Sequence, residues 1–200
     1  MNYNFDNPPS RKNSASLKWD HYGDQDILPM WIADMDFKTA PEIVNELKTQ
    51  IEFGIYGYTH APKELIAQTI QRLQDRYQWK IEADWLVWLP GLVPALNMAC
   101  RSIGKDGDKI LTLAPIYPPF LKAPHLARRQ KVTLDLVLNN DCWEIDFKQL
   151  EEKIISENIK VLLLCNPHNP VGKIFSREEL TSIAEICVRH QVLICSDEIH

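Results

Sequence analysis

Two stretches decide the fold of this 200-residue chain: Val161-Leu-Leu-Leu-Cys165-Asn-Pro-His-Asn-Pro-Val-Gly172 and, after a helical pattern, Val192-Leu-Ile-Cys-Ser-Asp-Glu-Ile-His200. The first is an apolar strand running into a loop dense in Asn and Pro. The second is an apolar strand ending in charge. Between them Ser176 and Glu179 make a capping box, and Leu180, Ile183, Ala184 and Cys187 fall on one helical face. This is a β-α-β unit with polar residues at the carboxyl ends of both strands. In open α/β sheets that edge is where ligands bind.

Working outward, strands and helices keep alternating. Asp146 and Gln149 carry a second capping signal, and Phe147, Leu150 and Ile154 give that helix its apolar face. Val132 to Leu138 reads as a strand. Lys109 to Leu113 is another, followed by a rigid loop braced by Pro115, Pro118 and Pro119. Leu92 to Ile103 reads as a helix closed by Gly104, preceded by a strand at Trp85–Leu89 that Pro90-Gly91 ends. Pro62 opens a helix striped by Ile66, Ile70, Leu73 and Tyr77. Pro41 starts one with Ile43, Leu47 and Ile51 on one face, stopping near Gly54. Residues 1 to about 28 read as an extended arm, and Leu28–Phe37 as a compact apolar stretch carrying Asp34 and Asp36. The pattern predicts an α/β domain with a mainly parallel sheet flanked by helices. Residues 1–45 are expected to form an arm and a small-domain segment, and 46–200 the front part of a major domain. The end at His200, straight after a strand, reads as a break inside a longer protein.

Composition is that of a globular chain, with 45% hydrophobic and 24% charged residues, and allows a sizeable core. A net charge of −5 gives no electrostatic case for nucleic acid or an acidic membrane. No apolar run reaches a bilayer-spanning length. The amino terminus lacks the order of a signal peptide. The cysteines at 100, 142, 165, 187 and 195 are odd in number and lack a C-x-x-C pair, which suggests neither a disulfide framework nor a zinc site. Together these point to a reducing cytoplasm.

Four loops after strand candidates offer chemistry. Asp197 is a carboxylate at a strand's carboxyl end, suited to a cationic ring nitrogen, although a lone Asp there is more often a cap. Asn169, held between Pro167 and Pro170, can donate and accept; a plain Asn-Pro turn explains it equally well. Gly91-Leu-Val-Pro-Ala95 opens a helix whose free N–H groups suit a phosphate, as many helix starts do. Tyr117 in the proline-braced loop can stack on a planar ring, although a core or surface tyrosine is the commoner role. Tyr56 and Tyr58 read the same way. Taken together they describe a planar, phosphorylated cofactor with a ring nitrogen, which is pyridoxal 5′-phosphate (PLP).

The chain also resembles the fold-type I PLP enzymes of the aspartate aminotransferase superfamily. Within them it is similar to the bacterial cystathionine β-lyase and cysteine-S-conjugate β-lyase branch. The resemblance rests on Leu17-Lys-Trp-Asp20, Leu28-Pro-Met-Trp-Ile-Ala-Asp-Met-Asp-Phe37, Tyr56-Gly-Tyr58, Pro90-Gly-Leu-Val-Pro-Ala-Leu96, Pro115-Ile-Tyr-Pro-Pro-Phe120, Cys165–Gly172 and Ser196–His200, in the family's order. It implies backbone N–H groups of Gly91, Leu92 and Val93 on the phosphate, Tyr117 on the ring face, Asn169 on the 3′-oxygen and Asp197 on the ring nitrogen. His200 falls where relatives carry a tyrosine that addresses the same oxygen. Tyr58 would reach the phosphate in a partner subunit of a homodimer, and Ala33 would lie beside the substrate carboxylate. No catalytic residue is expected within the chain, because the family's Schiff-base lysine and carboxylate-binding arginine lie beyond the position of His200. The implied activity of the longer protein is C–S β-lysis of cystathionine or related cysteine S-conjugates. Aminotransfer is the alternative, and an inactive truncated fragment is the third reading.

Overall fold

The computed structural model describes residues 3–200. The chain divides into two compact units, which part between His60 and Ala61. The boundary expected at 45/46 would cut a helix in two.

In the first unit α1 spans Leu17–Asp20 and α2 spans Pro41–Phe53. Proline at the first position starts α2, and Gly54 in the left-handed conformation closes it through its N–H to Gln50 O. The stretch containing Asp34 and Asp36 is irregular and is held by charge. Arg11 forks onto Asp34 at 2.8 and 2.9 Å, and the Lys18 ammonium donates to Asp34 O at 2.8 Å and to Asp36 Oδ2 at 2.7 Å. The Trp19 indole N–H donates to Asp36 Oδ1 at 2.7 Å. The Lys18 and Trp19 hydrogen bonds, with Arg11 behind them, hold the Asp36 carboxyl down at about 2.

The second unit begins with α3, Lys63–Tyr77, and a 3-10 turn at Ala83–Trp85. It continues through α4 (Leu92–Ser102), β1 (Lys109–Ala114), α5 (Pro118–Leu126), β2 (Gln130–Asp135), β3 (Val137–Asn139), β4 (Cys142–Glu144), α6 (Phe147–Glu157), β5 (Ile159–Cys165), α7 (Arg177–Arg189) and β6 (Leu193–Asp197). Four strands form a parallel sheet in the order β2-β1-β5-β6. The alternation of strand side chains divides the core into two faces. Ile110, Val161, Leu163 and Cys165 pack with Leu96 and Cys100 of α4 and Phe120 and Ala123 of α5. Leu111, Leu113, Leu162 and Leu164 pack with Leu150 and Ile154 of α6 and Ile183 and Cys187 of α7. β5, covered on both faces, is therefore an almost unbroken apolar run. A fully buried side chain such as Leu162 contributes about 2–3 kcal/mol.

The capping signals hold: Ser176 and Glu179 form a reciprocal box, and Asp146 accepts from Gln149 N–H. Three expectations give way. Pro118-Pro119 opens a helix instead of stiffening a loop, because proline's fixed φ and missing N–H are harmless in a first turn. The strand expected through Leu138 stops at Asp135, and Val137–Asn139 folds back on Cys142–Glu144 as a hairpin. Its turn residues Asn140 and Asp141 both take positive φ, the primed-turn geometry that those two residue types tolerate. Leu86–Leu89 has no ladder partner among the described residues and is not a strand. Among the described residues no helix is long and apolar enough to cross a membrane.

Candidate functional site

From β1 the chain crosses through α5 to β2 on one side, and from β5 through α7 to β6 on the other. The direction of winding therefore reverses between β1 and β5. A crevice opens at such a reversal, outside the carboxyl ends of the strands. The loops that leave β1 and β5 there carry Tyr117 and Asn169.

These loops are tied together. Tyr117 N–H donates to Asn169 O at 3.0 Å, and Asn166 N–H donates to Asp197 O at 3.0 Å, which adds the end of β6. The Asn166 side chain accepts from Phe175 N–H at 3.3 Å. His168 N–H donates to Lys173 O, and Gly172 N–H to His168 O, closing a tight turn. Lys173 then pairs with Glu179 in the first turn of α7 at 2.8 Å. The peptide bonds before Pro115, Pro167 and Pro170 are cis.

Beside β6, one face of α4 along its whole length, from Leu92 to Ser102, and the end of the strand at Cys195 and Asp197 line a cleft of about 720 Å³ that Leu89 and Ile199 also border. The N–H groups of Leu92 and Val93 make no hydrogen bond among the described residues, and the first turn of α4 holds no acid. This is the donor set of an anion site. Gly91 departs from the expectation, because its own N–H donates to Leu89 O at 2.8 Å. What it contributes is backbone shape, with φ 107° and ψ 163°, a region essentially restricted to glycine.

Asp197 Oδ1 accepts Ile199 N–H at 3.1 Å, and Oδ2 has no partner among the described residues. The half-buried Asn169 amide also has none, and Tyr117 is 42% exposed. A phosphorylated ring with a protonated nitrogen fits this set: two unengaged N–H groups, a free carboxylate oxygen, a free amide and an accessible aromatic face. Leu92 and Asp197 share the cleft, Val93 follows Leu92, and Tyr117 and Asn169 meet through their backbones. His200 lies exposed beyond Asp197. Ala33 and Tyr58 belong to the other compact unit, where both are exposed.

Two residues at this edge were not singled out from the sequence. His168 is 1% exposed, with Nε2 2.9 Å from Pro115 O and Nδ1 3.3 Å from Cys165 O. Burial lowers its pKa, against the pull of both carbonyls. Asn166 links the loop to Phe175. Both stand inside the Asn-Pro-His-Asn-Pro string, but their partners become visible only once β1 and β5 are known to be neighbours. Cys165, next to them, is a buried core thiol whose pKa burial pushes up.

Residues 26–200 match the model of the aminotransferase class I and II family, and the chain belongs to that family. It is 36% identical to the cystathionine beta-lyase PatB of Bacillus subtilis over 98% of its own length and 52% of the relative's. It superposes with a TM-score of 0.91 on cystalysin from Treponema denticola, whose crystal structure contains PLP, at 36% identity over 100% of this chain and 52% of that one. It superposes at 0.90 on the PLP-bound C–S lyase from Staphylococcus hominis, at 32% identity over 100% of this chain and 52% of that one. The chain thus spans about half the length of the curated relatives it matches.

Proposed function

We propose that these 200 residues form one wall of a PLP site in a C–S β-lyase that cleaves cystathionine or a related cysteine S-conjugate to a thiol, pyruvate and ammonia. The observation that carries the reading is the set of unpartnered groups at one sheet edge: Leu92 and Val93 N–H, the Asn169 amide and Asp197 Oδ2. The likeness to PatB, to PLP-containing cystalysin and to the PLP-bound C–S lyase from Staphylococcus hominis supports it. Bound PLP supplies a ring that accepts the electron pair left when a substrate Cα–H bond breaks. Asp197 holds a proton on the ring nitrogen. Asn169 and His200 address the 3′-oxygen, and Tyr117 covers one ring face. Leu92 and Val93 hold the phosphate at the start of α4, and Gly91 shapes that start. Ala33 borders the substrate carboxylate.

In the same reading the protein is a homodimer, and Tyr58 completes the partner subunit's phosphate site. Support comes from its fully exposed side chain and from the exposed apolar face Ile43, Leu47 and Ile51 on α2. Aminotransfer is the second reading, because the matching family carries that chemistry. The test uses the PLP-loaded protein that carries this chain, with cystathionine and no keto acid. Equal amounts of pyruvate and homocysteine are expected. Turnover that strictly requires a keto-acid acceptor would replace the lyase reading with aminotransfer.

A further inference from the structure

One buried side chain joins the two loops of the switch point, and the chemistry proposed for the site makes no use of it. The His168 ring lies between two backbone carbonyls, and the two contacts differ in kind. Cys165 is three residues back on the same segment, so the 3.3 Å contact of Nδ1 is local. Pro115 is 53 residues away and opens the loop that carries Tyr117, so the 2.9 Å contact of Nε2 spans the crevice. Burial favours the neutral ring, which has a single N–H. The shorter contact takes it, so that Nε2–H donates to Pro115 O. The same loops meet once more where Tyr117 N–H donates to Asn169 O, one residue beyond His168. The Phe175 ring packs edge-on against the imidazole, with centroids 6.0 Å apart, which restricts its rotation.

We propose that His168 is a positioning residue whose Nε2–H bond to Pro115 O fixes the spacing of Tyr117 and Asn169, and with it the hold of both on the cofactor ring. The proposal rests on reading this edge as a PLP site. Two variants separate the two contacts. In H168Q the side-chain amide nitrogen falls near the position of Nε2, and in H168N near that of Nδ1. Both remove the ring and leave a buried amide, but Asn is one methylene smaller, so H168M, with the length of Gln and no donor, is the packing control. It is expected to bind PLP as weakly as H168N, and an H168M that matches H168Q would overturn the proposal.

The experiment measures the PLP dissociation constant and the visible absorption spectrum of bound PLP in wild-type protein and all three variants. H168Q is expected to keep the wild-type absorption maximum and to bind PLP about tenfold more tightly than H168N, the difference one buried hydrogen bond makes. H168N is expected to shift the maximum. Equal affinities and spectra in H168Q and H168N, or a better H168N, would overturn the proposal. Wild-type protein that takes up no PLP would sink the site reading and this proposal with it. Should neither variant fold, ¹⁵N NMR of wild-type His168 decides: an Nε2-protonated tautomer supports the proposal, and an Nδ1-protonated one overturns it.

Discussion

Replacing Arg129 by Met tests how α4, the helix that offers the candidate phosphate site, is held at its far end. The Arg129 side chain is 5% exposed. It donates to Ile103 O at 3.3 Å, Gly104 O at 3.1 Å and Arg101 O at 3.4 Å, all at the carboxyl end of α4. It also donates to Ala127 O and to Asp106 Oδ1, each at 3.0 Å. Methionine matches the length and offers no donor. Asp106 is 58% exposed and solvates readily, so losing that pair costs at most about 1 kcal/mol. The carbonyls remain in place, and each one left buried without a donor costs about 1–3 kcal/mol. Relief from burying a guanidinium offsets part of this. Because the acceptors stay behind when the donor goes, the loss wins, and a net destabilisation of about 3 kcal/mol is expected. In urea, with a slope of about 2 kcal/mol/M, the midpoint should fall by about 1.5 M with the slope unchanged. A drop below about 0.3 M would refute the reasoning, because it would mean that water or a local shift satisfies those carbonyls.

Three further outcomes are expected. Gly91→Ala should lower stability by about 1–3 kcal/mol through backbone strain alone, since a Cβ there would meet only Pro94 Cδ at 3.9 Å; an unchanged thermal midpoint would contradict it. The Asp36 carboxyl titrates at about 2 when folded and near 3.9 when unfolded. Its contribution is therefore complete above about pH 4 and is lost as pH falls through about 2. Asp36→Asn should remove that acid dependence, followed through the Trp19 indole N–H resonance, and an identical acid profile would count against the network. His168 has a folded pKa below its unfolded value of about 6.5, so the unfolded state takes up the proton first and stability falls as pH drops below about 6.5. H168Q lacks that component; equal slopes of stability between pH 5 and 8 in the two proteins would contradict it.

How much the sequence revealed depended on the range of the interactions involved. The β5-α7-β6 unit was legible because its signals are local: a buried apolar run, a capping box at Ser176 and Glu179, and a stripe through Ile183 and Cys187. The positions of Tyr117, Asn169 and Asp197 at one edge follow from that unit and from parallel strand order. Pro118-Pro119 was misread because proline braces a loop and opens a helix with the same φ, and only the conformation of the downstream residues distinguishes the two. Trp85–Leu89 has strand composition, but a strand also needs a partner's ladder, which no local pattern encodes. The engagement of Gly91 N–H with Leu89 O depends on one turn's dihedral angles. His168 stayed hidden for a different reason. Its partner at Pro115 is distant in sequence, and a histidine between two Asn-Pro dipeptides reads locally as a turn residue.

The most direct measurement is a crystal structure of the protein that carries this chain, grown with PLP. The expected result places an Asp197 carboxylate oxygen about 2.7–3.2 Å from the pyridine nitrogen, with the Asn169 amide at the 3′-oxygen and the N–H groups of Leu92 and Val93 on the phosphate. A cofactor bound elsewhere, or one whose ring nitrogen faces a group other than Asp197, would contradict the reading of this sheet edge.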